Sequence, residues 1–122
     1  MADSHRLGIS GEHLAARHLE ERGWRVLARN YRFGHKEIDL IARRARTVAF
    51  IEVKTRSRLR WGHPLFAVNA RKRIEIERVA RVWADRHARP DDELRFDAIA
   101  IYRTEDGGLR VEHIENAWQI HS

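Results

Sequence analysis

From Thr47 to Lys54 the chain is β-branched and aromatic, without Gly or Pro, and reads as a strand. Alternation on a strand sends Ile51 and Val53 to one face, and Glu52 and Lys54 to the other. A carboxylate and an ammonium together at the end of an otherwise apolar strand need an explanation. Upstream, Glu37-Ile38-Asp39-Leu40-Ile41-Ala42 reads as a second strand with acids set into it. Arg43-Arg44-Ala45-Arg46 is a connection short enough for a β-hairpin. With Arg44-Ala45 at the centre of the turn, Asp39 faces Phe50 and lies diagonally across from Glu52, on a shared face. A loop one residue longer or shorter sends Asp39 to the opposite face.

The same patterning predicts the other elements. Ser10 can cap a helix that stops at Gly23, with Glu12, Ala15, Ala16 and Leu19 along one face. Glu12 on that face either points to whatever the helix packs against or simply complements the helix dipole. Trp24 to Arg29 reads as a short strand, and Asn30 to Lys36 as a turn. After Lys54 the stretch from Thr55 to Pro64 is polar and rich in breakers, a loop in which Arg56, Arg58 and Arg60 match phosphate geometry and Trp61 can stack on a base. Asn69 can cap a long helix through His87, with Ile76, Val79, Ala80 and Trp83 as its buried stripe. Arg71/Glu75, Glu77/Arg81 and Arg81/Asp85 are i,i+4 pairs on its wet side, while Lys72 faces inward near its start. Pro90-Asp91-Asp92 breaks the chain. Leu94 to Tyr102 is apolar on both sides after Asp97, hence a central strand; Asp97 beside Arg95 suggests a structural pair. Asp106-Gly107 turns into an edge strand from Leu109 to Ile114, and Asn116-Ala117-Trp118 closes the domain. The order α-β-β-β-α-β-β predicts an α/β sandwich around a mixed sheet.

A length of 122 residues allows one domain and one core. The absence of cysteine excludes disulfides and thiolate zinc sites and fits a reducing compartment. No apolar run approaches membrane-spanning length and the first residues lack a signal-peptide core, so a cytoplasmic protein is expected. The net charge of +6 is concentrated: residues 43–60 carry Arg43, Arg44, Arg46, Lys54, Arg56, Arg58 and Arg60 against Glu52 alone, and the remainder is balanced. Basic residues beside an acidic constellation suit a polyanion brought to those carboxylates. Arg43, Arg44, Arg56, Arg58, Arg60 and Lys72 are therefore the candidate nucleic-acid contacts.

Asp39, Glu52 and the main-chain carbonyl of Val53 are hard oxygen donors suited to Mg²⁺ or Mn²⁺. Such an ion acidifies a bound water and stabilises charge on a phosphate, and Lys54 beside it can orient that water. Glu12 can hold a second metal or a coordinated water. The competing explanation is a structural ion pair of Asp39 or Glu52 with Lys54. No other catalytic pattern competes: the eight His show no zinc spacing, His35 and His63 read as loop residues, and neither a Gly-rich phosphate loop nor a G-x-S-x-G elbow occurs.

These residues resemble the YraN-like family of small bacterial proteins, which in turn is similar to the PD-(D/E)XK restriction-endonuclease-like nucleases and archaeal Holliday-junction resolvases. The resemblance rests on Gly11-Glu12 with Ala15-Ala16 and Leu19, on Glu37-Ile38-Asp39-Leu40-Ile41, and on Phe50-Ile51-Glu52-Val53-Lys54-Thr55-Arg56. Ala67-Val68, Lys72, Arg95-Phe96-Asp97 and Ala117-Trp118 are similar to its later landmarks. It implies a restriction-endonuclease-like three-layer sandwich, Asp39 and Glu52 as metal ligands, Lys54 as catalytic lysine and Glu12 as the helix acid of resolvase-like members. The implied activity is Mg²⁺- or Mn²⁺-dependent cleavage of DNA, of branched or structured DNA in particular, leaving 5′-phosphate and 3′-hydroxyl ends. A domain of this size that cuts both strands is expected to pair as a homodimer. The family has Gly immediately before its Glu-Ile-Asp strand where this chain has Lys36, so the opening turn differs or Gly34 takes that role. A nucleic-acid-binding module that does not cleave, and a protein-interaction domain, are the two rival readings.

Overall fold

The computed structural model of the chain describes residues 2–56 and 69–119, with side chains for 11–55 and 69–119. Its elements are α1 (Ala2–Glu21), β1 (Arg25–Phe33), β2 (Lys36–Arg44), β3 (Thr47–Arg56), α2 (Ala70–His87), β4 (Glu93–Arg103) and β5 (Leu109–Trp118). The five strands form one mixed sheet in sequential order: β3 and β4 run parallel and every other neighbouring pair is antiparallel. Parallel strands need a crossover connection, and α2 supplies it. The two helices cover opposite faces. Ala15, Ala16 and Leu19 of α1 pack on Leu40, Ala42, Ala49, Ile51, Ile99 and Ile101, while Ile76, Val79, Ala80 and Trp83 of α2 pack on Ile41, Val48, Phe50 and Phe96. The alternation of strand side chains divides the core in this way, which makes the domain an α/β/α sandwich. β4 is buried from Phe96 to Tyr102, as a strand covered on both faces must be.

The caps follow the sequence closely at two helix ends. Asn69 accepts a hydrogen bond from the Lys72 backbone N–H at 2.9 Å and so starts α2. Gly23, at φ 87°, ends α1: its N–H donates to Glu20 and that of Trp24 to Leu19, the paired bonds of a Schellman motif. α1, however, begins upstream of the Ser10 cap, at Ala2. β1 runs on through Asn30 to Phe33, so the turn is only Gly34-His35, and Gly34 at φ 63° supplies the left-handed residue. Lys36 is thus an ordinary strand residue, paired with Glu75 at 2.9 Å. β3 extends two residues past Lys54, and β5 continues through Asn116 to Trp118. Arg58, Arg60, Trp61, His63 and Ala67-Val68 lie outside the described residues.

The central hairpin turns one residue later than the sequence suggests. Arg44 pairs with Thr47, so Ala45-Arg46 is the loop, with Ala45 at φ 55°. Moving the centre of a two-residue loop by one position moves the register by two. Parity is kept, and Asp39 is set directly across from Glu52 instead of diagonally.

Candidate functional site

Asp39 stands where the β2–β3 ladder stops. The last paired residues are Leu40 and Ile51. One step further, the Val53 N–H donates to Asp39 Oδ2 at 2.8 Å, a side chain taking the place of a backbone acceptor. In an antiparallel pair the N–H and C=O of one residue face the same neighbour, so the Val53 carbonyl is also turned toward Asp39. Alternation breaks here too: Ile38 packs in the α2-side core and Leu40 in the α1-side core. On the neighbouring strand the pairs Arg29–Leu40 and Tyr31–Ile38 bracket Asn30, whose φ of 49° is foreign to a strand. The irregularity in β1 and the freed carboxylate in β2 belong together.

Glu52 is buried beside it, 8% exposed, and its Oε2 has no hydrogen-bond partner. Its Oε1 lies 4.0 Å from the Lys72 Nζ at the start of α2. Burial first, and then the neighbouring Glu52 carboxylate, push Asp39 up to about 7 against the Val53 hydrogen bond. Burial also raises Glu52, opposed by the Lys72 and Lys54 charges. Two acids this close, one buried and one half-buried, each make the other harder to ionise. Lys54, half-buried, projects from the same face of β3 as Glu52; among the described residues no ion pair joins it to either acid. Its charge nonetheless lowers the Glu52 pKa, after that of Lys72.

Glu12 approaches from α1 and its charge raises both acids. Gly11 permits the approach: a Cβ there would meet the Thr55 methyl at 2.4 Å. Yet among the described residues no three acid or imidazole side chains converge closely enough to hold one ion, so Glu12 stands back from the Asp39–Glu52 pair. Lys72, expected as a nucleic-acid contact, faces these carboxylates from α2.

The basic stretch 43–60 does not arrive as one patch. Arg43 and Arg44 sit at the turn end of the hairpin, about 13–17 Å along β2 from Asp39 at ~3.3 Å per residue. Arg43 forks onto Asp92 at 2.5 and 2.9 Å and holds that carboxyl at about 2. Arg44 lies over the Trp24 ring at 4.5 Å and 4.0 Å from Glu115. An antiparallel hairpin puts its turn and its open end at opposite ends of its strands, which one-dimensional clustering conceals. Arg56 ends β3 at the site. Arg58 and Arg60 are beyond the description.

Asp97 has the partner predicted for it and more. It is fully buried, receives two 2.9 Å bonds from Arg95 and one from the Asn116 N–H at 2.9 Å, and meets His113 Nε2 at 2.7 Å. Burial alone would raise its pKa, but the bonds with His113 and Arg95 outweigh it and hold the carboxyl low. This is a structural network. Asn30 and the hairpin tip at Phe33 are what sequence patterning misses near the site; the only signal was an Asn inside an otherwise strand-like run, and Asn reads as turn.

The class defined is an α/β/α sandwich with an acid pair at the open end of its central hairpin and a lysine two residues beyond the second acid. The chain belongs to the uncharacterised protein family UPF0102, whose sequence signature spans residues 11–101. It is 47% identical over 119 residues to a UPF0102 protein of Chlorobium phaeobacteroides (strain BS1), covering 93% of this chain and 94% of that one. A relative from Parafrankia sp. (strain EAN1pec) is 45% identical, with 97% and 100% covered, and one from Geobacter sulfurreducens 40%, with 93% and 89%. Among solved structures, Pyrococcus furiosus SfsA in complex with Ca²⁺ aligns with a TM-score of 0.44 and 17% identity over 96% of this chain, which spans 65% of that one. No helix among the described residues is long and apolar enough to cross a membrane.

Proposed function

We propose that this chain is a divalent-metal-dependent endonuclease acting on DNA. The observation that carries the reading is half-buried Asp39 beside buried Glu52, with one Glu52 oxygen left without a partner. A buried acceptor with nothing to accept from is costly in a finished protein and is expected where a cation completes the site. The donors fit a hard ion: Asp39, Glu52 and the Val53 carbonyl are all oxygen, and Mg²⁺ or Mn²⁺ keeps waters in its other positions. When bound, such an ion supplies Lewis acidity at the phosphate and acidifies an adjacent water.

The chain's own groups do the rest. Asp39 and Glu52 would hold the ion as carboxylates. Lys54 holds the attacking water and stabilises charge growing on the phosphate, and Lys72 balances Glu52. Hydrolysis on the 3′-oxygen side leaves the 5′-phosphate and 3′-hydroxyl ends that the family resemblance implies.

The test is cleavage of linear and branched duplexes by the purified chain with Mg²⁺ and with Mn²⁺. Glu52→Gln and Lys54→Ala should each lower the rate at least ~100-fold, the usual scale for a group acting on the developing charge, with DNA binding kept. A chain inert on every substrate with both metals would overturn the proposal. The second reading, a DNA-binding module that does not cleave, draws on the Lys72 ammonium 4.0 Å from Glu52, an internal cation beside the acids. It predicts salt-sensitive DNA binding with no metal titration at Asp39 or Glu52.

A further inference from the structure

The tip of the β1–β2 hairpin carries an exposed aromatic at the same end of the sheet as the acid pair. Phe33 is 49% exposed and pairs with Lys36 across the two-residue loop Gly34-His35. Every residue from Arg32 to Lys36 is exposed, and among the described residues Phe33 has no aromatic or cation–π contact. Arg29 and Arg32 are exposed on the strand leading to it, Arg32 paired with Glu37 at 3.0 Å and Lys36 with Glu75 at 2.9 Å. Lys36 reaches Glu75 of α2, so this face of the tip turns to the layer from which Lys72 reaches Glu52. Opposed strand residues share a face, so Phe33 turns the same way.

Resting on the endonuclease reading, we infer that Phe33 stacks on an unpaired or terminal base and so directs the site to discontinuous or branched DNA. Lys36 lies three residue steps along β2 from Asp39, roughly 10 Å at ~3.3 Å per residue. DNA advances ~3.4 Å per nucleotide along a strand, so the ring stands about three base steps from the phosphate at the acids. Within a continuous duplex both faces of every base are covered by its neighbours. A free base face exists only at a junction, a flap or a single-strand boundary, and there an aromatic is a sequence-tolerant platform. The arginines along β1 supply the matching charge for the phosphates leading to that point.

The experiment compares binding of the full chain, in EDTA, to a three-way fork and a linear duplex of equal length, with 2-aminopurine at the branch point. Wild type should prefer the fork by about tenfold and change the 2-aminopurine fluorescence. Phe33→Ala should lose both the preference and the fluorescence change while keeping linear-duplex affinity, and Phe33→Trp should restore them. Equal preference in Phe33→Ala and wild type, or a wild type without preference, would overturn the hairpin's role. Cleavage of linear DNA that persists in that case leaves the endonuclease reading standing. A chain that binds no DNA removes both.

Discussion

Asp39 destabilises this fold whenever it is charged. With its carboxyl pushed up to about 7, the folded state holds a proton that the unfolded chain releases near pH 4. The stability linked to that proton is fully present below pH ~4 and is lost as pH rises through about 7. Asp39→Asn retains an oxygen to accept the Val53 N–H and carries no charge. In metal-free protein it should therefore match wild type near pH 4 and be more stable at pH 8, by roughly 1–3 kcal/mol, or several degrees in Tm. Thermal unfolding at the two pH values checks this; equal midpoints at pH 8 would mean that the acid is not held against its charge. Asp97 shows that burial alone is not the cause. It is the more deeply buried of the two, yet Arg95, His113 and the Asn116 N–H compensate it, and its carboxyl is held low. A compensated acid marks structure, and an uncompensated one marks a place where something else is meant to bind.

At the scale of elements, the central hairpin explains why the site was legible before its register was known. Any two-residue loop between these strands puts Asp39, Glu52 and Lys54 on one face, because side-chain direction has period two. The position of the loop was not legible, since Ala45 at φ 55° occupies a conformation that L-residues avoid. Ala45→Gly should relieve that strain and stabilise the protein by about 1 kcal/mol, read as a higher urea midpoint with an unchanged slope. An unchanged midpoint would mean that the strain is taken up elsewhere. The α1 and α2 faces were legible from 3.6-residue spacing, and so were Gly23 and Asn69, because each does chemistry that few residues can do. Asn30 and Asn116 misled for the same reason. Both look like turns, yet each sits inside a strand at positive φ, Asn30 bracketed across from Asp39 and Asn116 donating to Asp97. The sheet makes room for its two inserted acids by letting the facing asparagine leave the ladder, a tertiary arrangement that no local pattern announces.

At the scale of the whole molecule, the sequence placed the net charge correctly and its geometry did not survive folding. The excess lies in residues 43–60, but the hairpin carries Arg43 and Arg44 to the end away from the acids and engages them with Asp92, Trp24 and Glu115. The basic groups that edge strand β1 presents toward the open end are Arg29 and Arg32, while Arg25 lies opposite Arg43 at the other end. These two sets separate in salt titrations of DNA binding. Each phosphate contact contributes about one unit to the slope of log affinity against log salt. Arg29→Gln should reduce that slope by about 1 and leave the melting temperature unchanged. Arg43→Gln should leave the slope unchanged and lower the melting temperature, because it strips the fork from the Asp92 carboxylate that it holds at about 2. If the slope followed Arg43 and ignored Arg29, DNA would enter from the turn end of the hairpin. The acid pair would then lie at the wrong end of the sheet to meet the phosphate.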